Sequence, residues 1–127
     1  MRKVSINESQ FNRVIIRESE EMGEMDFLKI AFEIGKAVVS PEFSVKLRDT
    51  KTDRYGKTFR PAVIITDKMS GSLEGTIEYL GYRDGTVIFE YFAMMAGSTK
   101  IKADRNNLDK YLKYAFGFIT SDNRLMT

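Results

Sequence analysis

The chain has 127 residues, 43% of them hydrophobic and 30% charged, proportions that fit one folded domain and exclude a disordered chain. It contains no Cys and no His, which excludes disulfides, thiolate nucleophiles, zinc–thiolate sites and the commonest base near neutral pH. The formal net charge of +2 is unevenly spread: residues 18–42 are acidic, residues 43–60 are basic, and the final third is basic again.

Taken in order, Arg2 to Ile6 reads as a short strand or an extended arm. Ser5-Ile6-Asn7-Glu8 then has the pattern of a capping box, with Ser5 or Asn7 at the N-cap. A helix is predicted from Glu8 to about Met22, with Phe11, Val14, Ile15 and Met22 on one side, and Gly23 ends it. A second helix is predicted from Asp26 to about Val39, stopping before Pro41. Phe27, Leu28, Ile30, Ala31, Phe32, Ile34, Ala37 and Val38 make it apolar over most of its circumference. Such a helix needs cover on two sides. A sheet supplies one side, and another helix of the chain or a second subunit supplies the other.

From Phe43 the period changes to two. Phe43, Val45 and Leu47 alternate with Ser44, Lys46 and Arg48 as in a half-buried strand. A turn over 53–57 returns the chain into a strand over 59–66, where Pro61 marks an edge or a strand start. Val63-Ile64-Ile65 is apolar on both phases and is expected to be buried on both faces. Ser70-Gly71-Ser72 makes the next turn.

Residues 73–95 form the landmark hairpin, with Asp84-Gly85 between two alternating runs. A two-residue loop would mix carboxylates and rings on both faces. A three-residue loop, with Gly85 in a G1 bulge, pairs Tyr82 with Thr86, Tyr79 with Phe89 and Ile77 with Tyr91. That choice collects Ile77, Tyr79, Val87, Phe89, Tyr91 and Ala93 on one face, so the three-residue loop is expected. It also sets Glu78 opposite Glu90 on the other face.

After a turn at Ala96-Gly97-Ser98, Thr99 to Ala103 is expected to add a short edge strand guarded by Lys100 and Lys102. A last helix starts near Asn106 or Asn107 as N-cap, with Leu108, Tyr111, Leu112, Ala115 and Ile119 as its stripe. Residues 120–127 are expected to fray. Met69, Met94 and Met95 read as core or gap-filling residues. The fold class is α+β in a single domain: residues 1–41 helical, 42–104 a meander of four or five antiparallel strands, 105–120 a helix, 121–127 a tail. A small closed barrel ranks second.

Three groups of side chains are candidate sites. Lys46, Arg48, Lys51, Arg54, Tyr55, Lys57 and Arg60, with Phe59 among them, suit phosphate contacts and base stacking on single-stranded nucleic acid. A solvated, edge-guarding hairpin is the favoured reading of those charges, because the pI of about 8.8 lies below the strongly basic range of nucleic-acid binders and no RNA-binding motif accompanies them. Glu18, Glu20, Glu21, Glu24 and Asp26 lack the ligand spacing of a calcium loop and read as a solvated helix end. Glu78 and Glu90, with Leu80, Ile88 and Phe92 beside them, make a semi-apolar sheet face that a helix or a partner protein would cover. No phosphate-binding glycine motif is present, no metal ligand set or cofactor is implied, and an enzyme is not expected.

The opening residues Arg2-Lys3-Val4-Ser5-Ile6-Asn7-Glu8-Ser9, followed by an amphipathic run to Arg17-Glu18-Ser19, resemble the start of small uncharacterised bacteriophage and prophage accessory proteins. The resemblance implies a setting and carries over no site residue. Together these readings lead to a non-enzymatic interaction protein, a phage accessory or structural component that binds another protein or itself. A single-stranded nucleic-acid binder is the alternative. The expected location is the cytoplasm of a bacterial host, or the virion, with no membrane partner.

Overall fold

The computed structural model describes residues 21–126. The expected N-terminal strand, its capping box and nearly all of the first predicted helix lie outside the described residues, as does the resemblance to phage proteins. Within them, helix α1 spans Glu24–Val38, and the strands follow as β1 (Phe43–Arg48), β2 (Lys51–Thr52), β3 (Thr58–Phe59), β4 (Ala62–Asp67), β5 (Leu73–Arg83), β6 (Thr86–Ala93) and β7 (Gly97–Asp104). Helix α2 spans Leu108–Thr120, and a 3-10 turn covers Asn123–Leu125. Five strands form one antiparallel sheet in the order β1-β4-β5-β6-β7, and β2 pairs with β3 in a separate ribbon. The sheet is an open meander, as expected, and not a barrel. No helix among the described residues is long and apolar enough to cross a membrane.

Both helices pack on the same face of the sheet. Val63, Ile65, Ile77, Val87, Phe89 and Tyr91 point into a core shared with Phe27, Leu28 and Ala31 of α1 and Leu112, Ala115, Phe116 and Ile119 of α2. α1 lies over the β1–β5 half, and α2 over the β5–β7 half. The two-sided cover that α1 needs therefore comes from the sheet and from α2. Gly35 permits that approach, because a Cβ there would sit 2.6 Å from Phe116 Cζ and 3.1 Å from Val45 Cγ1. Acidic Glu24 and Asp26 in the first turn complement the α1 dipole, and the chain turns extended at Val39 ahead of Pro41.

The hairpin loop differs from expectation. Arg83 pairs with Thr86, so the loop has two residues, Asp84 and Gly85, and both adopt positive φ (53° and 78°) as a type I′ turn requires. The register then shifts between Tyr79 and Gly81, leaving Leu80 in a bulge. Beyond that bulge Tyr79 pairs with Phe89, Glu78 with Glu90 and Ile77 with Tyr91, the pairs that the three-residue loop was meant to produce. One extra residue at Leu80 does what an extra loop residue would have done. A three-residue loop closed by a glycine does occur, at Arg54-Tyr55-Gly56: Gly56 has φ +84°, its N–H donates to Asp53 O, and Asp53 N–H donates to Lys57 O.

Other expectations are corrected by burial. Met69, Met94 and Met95 are 96%, 53% and 95% exposed, so they are not core residues. They sit on the β4–β5 and β6–β7 turns, beyond the reach of either helix. Ile64 is half-exposed while Val63 and Ile65 are buried, so the apolar run of β4 is buried on one face only. Asn107 stands at the N-cap of α2 without capping through its side chain. Instead Asp104 Oδ1 accepts from both the backbone N–H and Nδ2 of Asn107, at 3.0 and 3.1 Å. The tail after α2 is folded back: Ser121 takes a left-handed φ of 58°, Asp122 caps the 3-10 turn, and Leu125 packs against the core.

Candidate functional site: the outer sheet face and the basic ribbon

Alternation puts Ile64, Thr76, Leu80, Ile88 and Phe92 on the face opposite the helices, together with the charged residues of each strand. All five are partly exposed, and both described helices pack on the other side of the sheet. Across this face runs a row perpendicular to the strands. Arg48 on β1 pairs with Ala62 on β4, and Glu78 lies one residue on from the Val63–Ile77 pair. Glu78 then faces Glu90, and Glu90 faces Lys100. The row therefore reads cation, alanine, acid, acid, cation.

The order resolves the like-charge contact expected of Glu78 and Glu90. Each carboxylate has a cation on its outer side, and the four charges sum to zero. Arg48 reaches over the small, fully buried Ala62 to bring Nη2 within 3.9 Å of Glu78 Oε2. A pair at this depth of solvent exposure adds little stability and serves mainly to orient the arginine.

Arg48 has a second task. Its Nη2 donates to Arg60 O at 2.6 Å, Arg60 Nη1 donates to Tyr79 O at 3.1 Å, and Tyr79 OH donates to Met22 O at 2.6 Å. This chain of contacts ties the root of the β2–β3 ribbon to the sheet and the sheet to the entry of α1. The ribbon continues the β1–β4 register, since Lys51 pairs with Phe59 and Thr52 with Thr58 just as Arg48 pairs with Ala62. The ladder breaks at Pro61, which has no N–H to donate.

Of the residues expected to bind nucleic acid, Arg48 and Arg60 are thus occupied in holding the ribbon. Phe59 has Arg48 and Lys57 against its ring, at 5.5 and 5.1 Å from the centroid. Lys51, Arg54, Tyr55 and Lys57 stand exposed on the ribbon, and Lys46 stands exposed on β1 opposite Ile64. Tyr55 is 80% exposed at the tip, with Arg54 5.0 Å from its ring centroid. A cleft of about 510 Å³ opens between ribbon and sheet, lined by Glu24, Thr50, Thr58, Arg60, Pro61, Tyr79 and Leu80. The ionisable groups that share it with Glu24 are Arg60 and Tyr79, and both are engaged in the contacts that hold the ribbon and the entry of α1. Among the described residues no three carboxylates converge as a metal site would require, and Glu18 and Glu20 lie outside them.

Tyr79 is the best-tied residue of this region. Burial pushes its phenol above the ordinary value, and the carboxylates of Glu21 and Glu24 push the same way. A phenol that ionises later in the folded chain than in the unfolded one holds its proton longer when folded. Its contribution is therefore full below a pH of about 10 and is lost as pH rises through the range above it. Tyr79→Phe is expected to cost about 1 kcal/mol at neutral pH, from the lost bond to Met22 O. It should also flatten the alkaline fall in stability. Urea unfolding of both proteins from neutral to strongly alkaline pH checks this, and an unchanged slope would remove Tyr79 as its source.

The outer-face residues Glu78, Leu80, Ile88, Glu90 and Phe92 are brought together as expected, whereas the exposed methionine turns were missed. Their signal was available in their positions next to turn residues. Compared with protein-family models, curated proteins and solved structures, the chain matches none.

Proposed function

We propose that the protein is a non-enzymatic interaction module that seats another protein on the outer face of its sheet. The observation that carries this reading is a set of partly exposed apolar side chains, Ile64, Leu80, Ile88 and Phe92, which no described helix covers, beside a charge row of Arg48, Glu78, Glu90 and Lys100 that sums to zero. Partly exposed aliphatic and aromatic side chains offer an apolar contact to a partner, and the balanced row beside them presents no net charge to repel it; the partner must bring polar groups to meet those charges. The same balance leaves Glu78 and Glu90 poorly suited to act as a catalytic acid and base. A phage or prophage accessory role is the setting proposed for it, on the resemblance of residues 2–19.

The nucleic-acid reading has one observation in its favour, the exposed Tyr55 between Arg54 and Lys57 at the ribbon tip. Losing Arg48 and Arg60 to structural contacts weakens it.

Replacing Ile88 and Phe92 together with Glu provides the test. Self-association measured by light scattering, or retention of a specific partner from host lysate, should be lost in the double variant while its melting temperature stays near that of the parent. A chain that is monomeric at high concentration, and whose captured proteins are the same with and without the substitutions, would sink the proposal. Weak, salt-sensitive binding of labelled single strands that is lost on Tyr55→Ala would favour the ribbon instead.

A further inference from the structure

Beyond the outer face, the sheet has a second surface with the properties of a binding site: the outer edge of β7, unpaired among the described residues, and the helix flank above it. β7 pairs with β6 along all eight residues with no shift in register. On its other side no described strand pairs with it. It contains no proline and no bulge, and the one blunting device it carries is the pair Lys100 and Lys102, which an acidic segment would neutralise. Its row of alternate N–H and C=O groups is therefore straight and available to another strand.

Above this edge lies an aromatic flank. Phe116 of α2 points towards α1, where it meets Gly35, and Leu112, Ala115 and Ile119 point into the core. At 100° per residue, Tyr111, Tyr114 and Phe118 fall on the flank of α2 away from α1. That is the side of β7. Ring contacts agree: Phe118 stacks on Tyr91 at 5.8 Å, Tyr91 is the β6 partner of Thr99, and Tyr114 meets Phe118 edge-on at 4.9 Å. Tyr114 is 38% exposed, and Ile101 in the middle of β7 is half-buried. A strand added beside β7 would rest its inward side chains next to Ile101 and beneath these rings.

Charge determines what its outward side chains must be. Lys100 and Lys102 stand on the outer face of β7, beside Glu90 and Ile88 respectively. Neither closes an ion pair among the described residues, and Lys102 has no carboxylate across from it. Two residues of an added strand, spaced i and i+2, would lie next to these lysines. A second copy of β7 is a poor occupant. Antiparallel self-pairing centred on residue 100, 101 or 102 sets lysine against lysine in every case, which is destabilising.

We infer that the β7 edge is an addition site for an extended segment that alternates acidic and apolar residues. Its acidic residues meet Lys100 and Lys102, and its apolar residues lie against Ile101, Tyr114 and Phe118. Main-chain hydrogen bonds would supply affinity, and the alternating pockets would supply specificity. This site shares Lys100 with the outer face, but it rests on the β7 edge and the aromatic flank and stands if the outer-face proposal fails.

The probe is a fluorescein-labelled, end-blocked nonapeptide of alternating Glu and Val, with the Lys–Val peptide as its counterpart. Anisotropy should show the Glu–Val peptide binding at least tenfold more tightly than the Lys–Val peptide. The exchange Lys102→Glu should abolish that preference, because Lys102 is exposed and lies across from Ile88, outside the charge row of the outer face. Amide hydrogen exchange should slow along β7 when the Glu–Val peptide is bound. No binding at millimolar peptide, a preference that survives the charge exchange, or protection at β1 or the ribbon instead of β7 would each overturn the inference.

Discussion

Phe89→Ala is expected to lose about 3–5 kcal/mol of stability, while Phe92→Ala, three residues along the same strand, is expected to lose about 1–2 kcal/mol. The difference follows from the register. Phe89 is fully buried, with its ring 5.2 Å from that of Phe27, and it pairs with Tyr79 on the helix-facing side. Truncating it removes a ring from the centre of the core and leaves a cavity that neighbouring β-strands cannot close. Phe92 pairs with Thr76 on the opposite side, where it is partly exposed. For a domain with a total stability of roughly 5–15 kcal/mol, the first change threatens folding at ordinary temperature. Urea midpoints of the two variants decide the matter. Equal losses would mean that both faces of β6 are equally buried, and the outer face would cease to be a binding candidate.

Gly75→Ala is the second large effect, expected at about 2–3 kcal/mol and a fall in melting temperature of roughly 10 °C. Gly75 lies in β5 opposite Ala93 and is buried where α2 crosses the sheet. A Cβ there would collide with the carbonyl oxygen of Phe92 and would sit 2.8 Å from Ile119 Cγ2. The first obstacle is backbone within a paired strand, which cannot swing aside as a side chain can. The second is a buried isoleucine of α2. Differential scanning calorimetry reads the change, and a melting temperature within a degree or two of the parent would show that α2 does not press on the sheet at this point.

Gly75 drew no notice as a sequence because nothing local marks it. Its small size answers to a helix more than forty residues later. The hairpin shows the opposite case, a correct sorting of side chains reached through an incorrect loop. Alternation identified Ile77, Tyr79, Phe89 and Tyr91 as one face because their burial demands it. The device that produces the register, a bulge at Leu80, has no sequence mark beyond the glycine that follows. Asp84-Gly85 kept its local preference for a two-residue turn, and the correction was made four residues before it, at Leu80. For the candidate site, Glu78 facing Glu90 could be read from one hairpin. The compensating Arg48 and Lys100 could not, since their place depends on the order of all five strands. Arg48 and Arg60 were read as free cations because backbone acceptors across a sheet are invisible to residue counting.

The strictly sequential order of the five strands has a consequence for how the chain folds. Every strand pairs only with its predecessor and successor among the sheet strands, so each pairing closes a short loop at small entropic cost. The sheet can therefore grow outward from the β5–β6 hairpin one neighbour at a time. The meeting of the two helices at Gly35 and Phe116 is different, because it joins segments near opposite ends of the described chain. That contact must wait until the sheet has brought them together. Helix docking is thus the late, stabilising event, and changes at Gly35 should act mainly on how fast the protein unfolds rather than on how fast it folds.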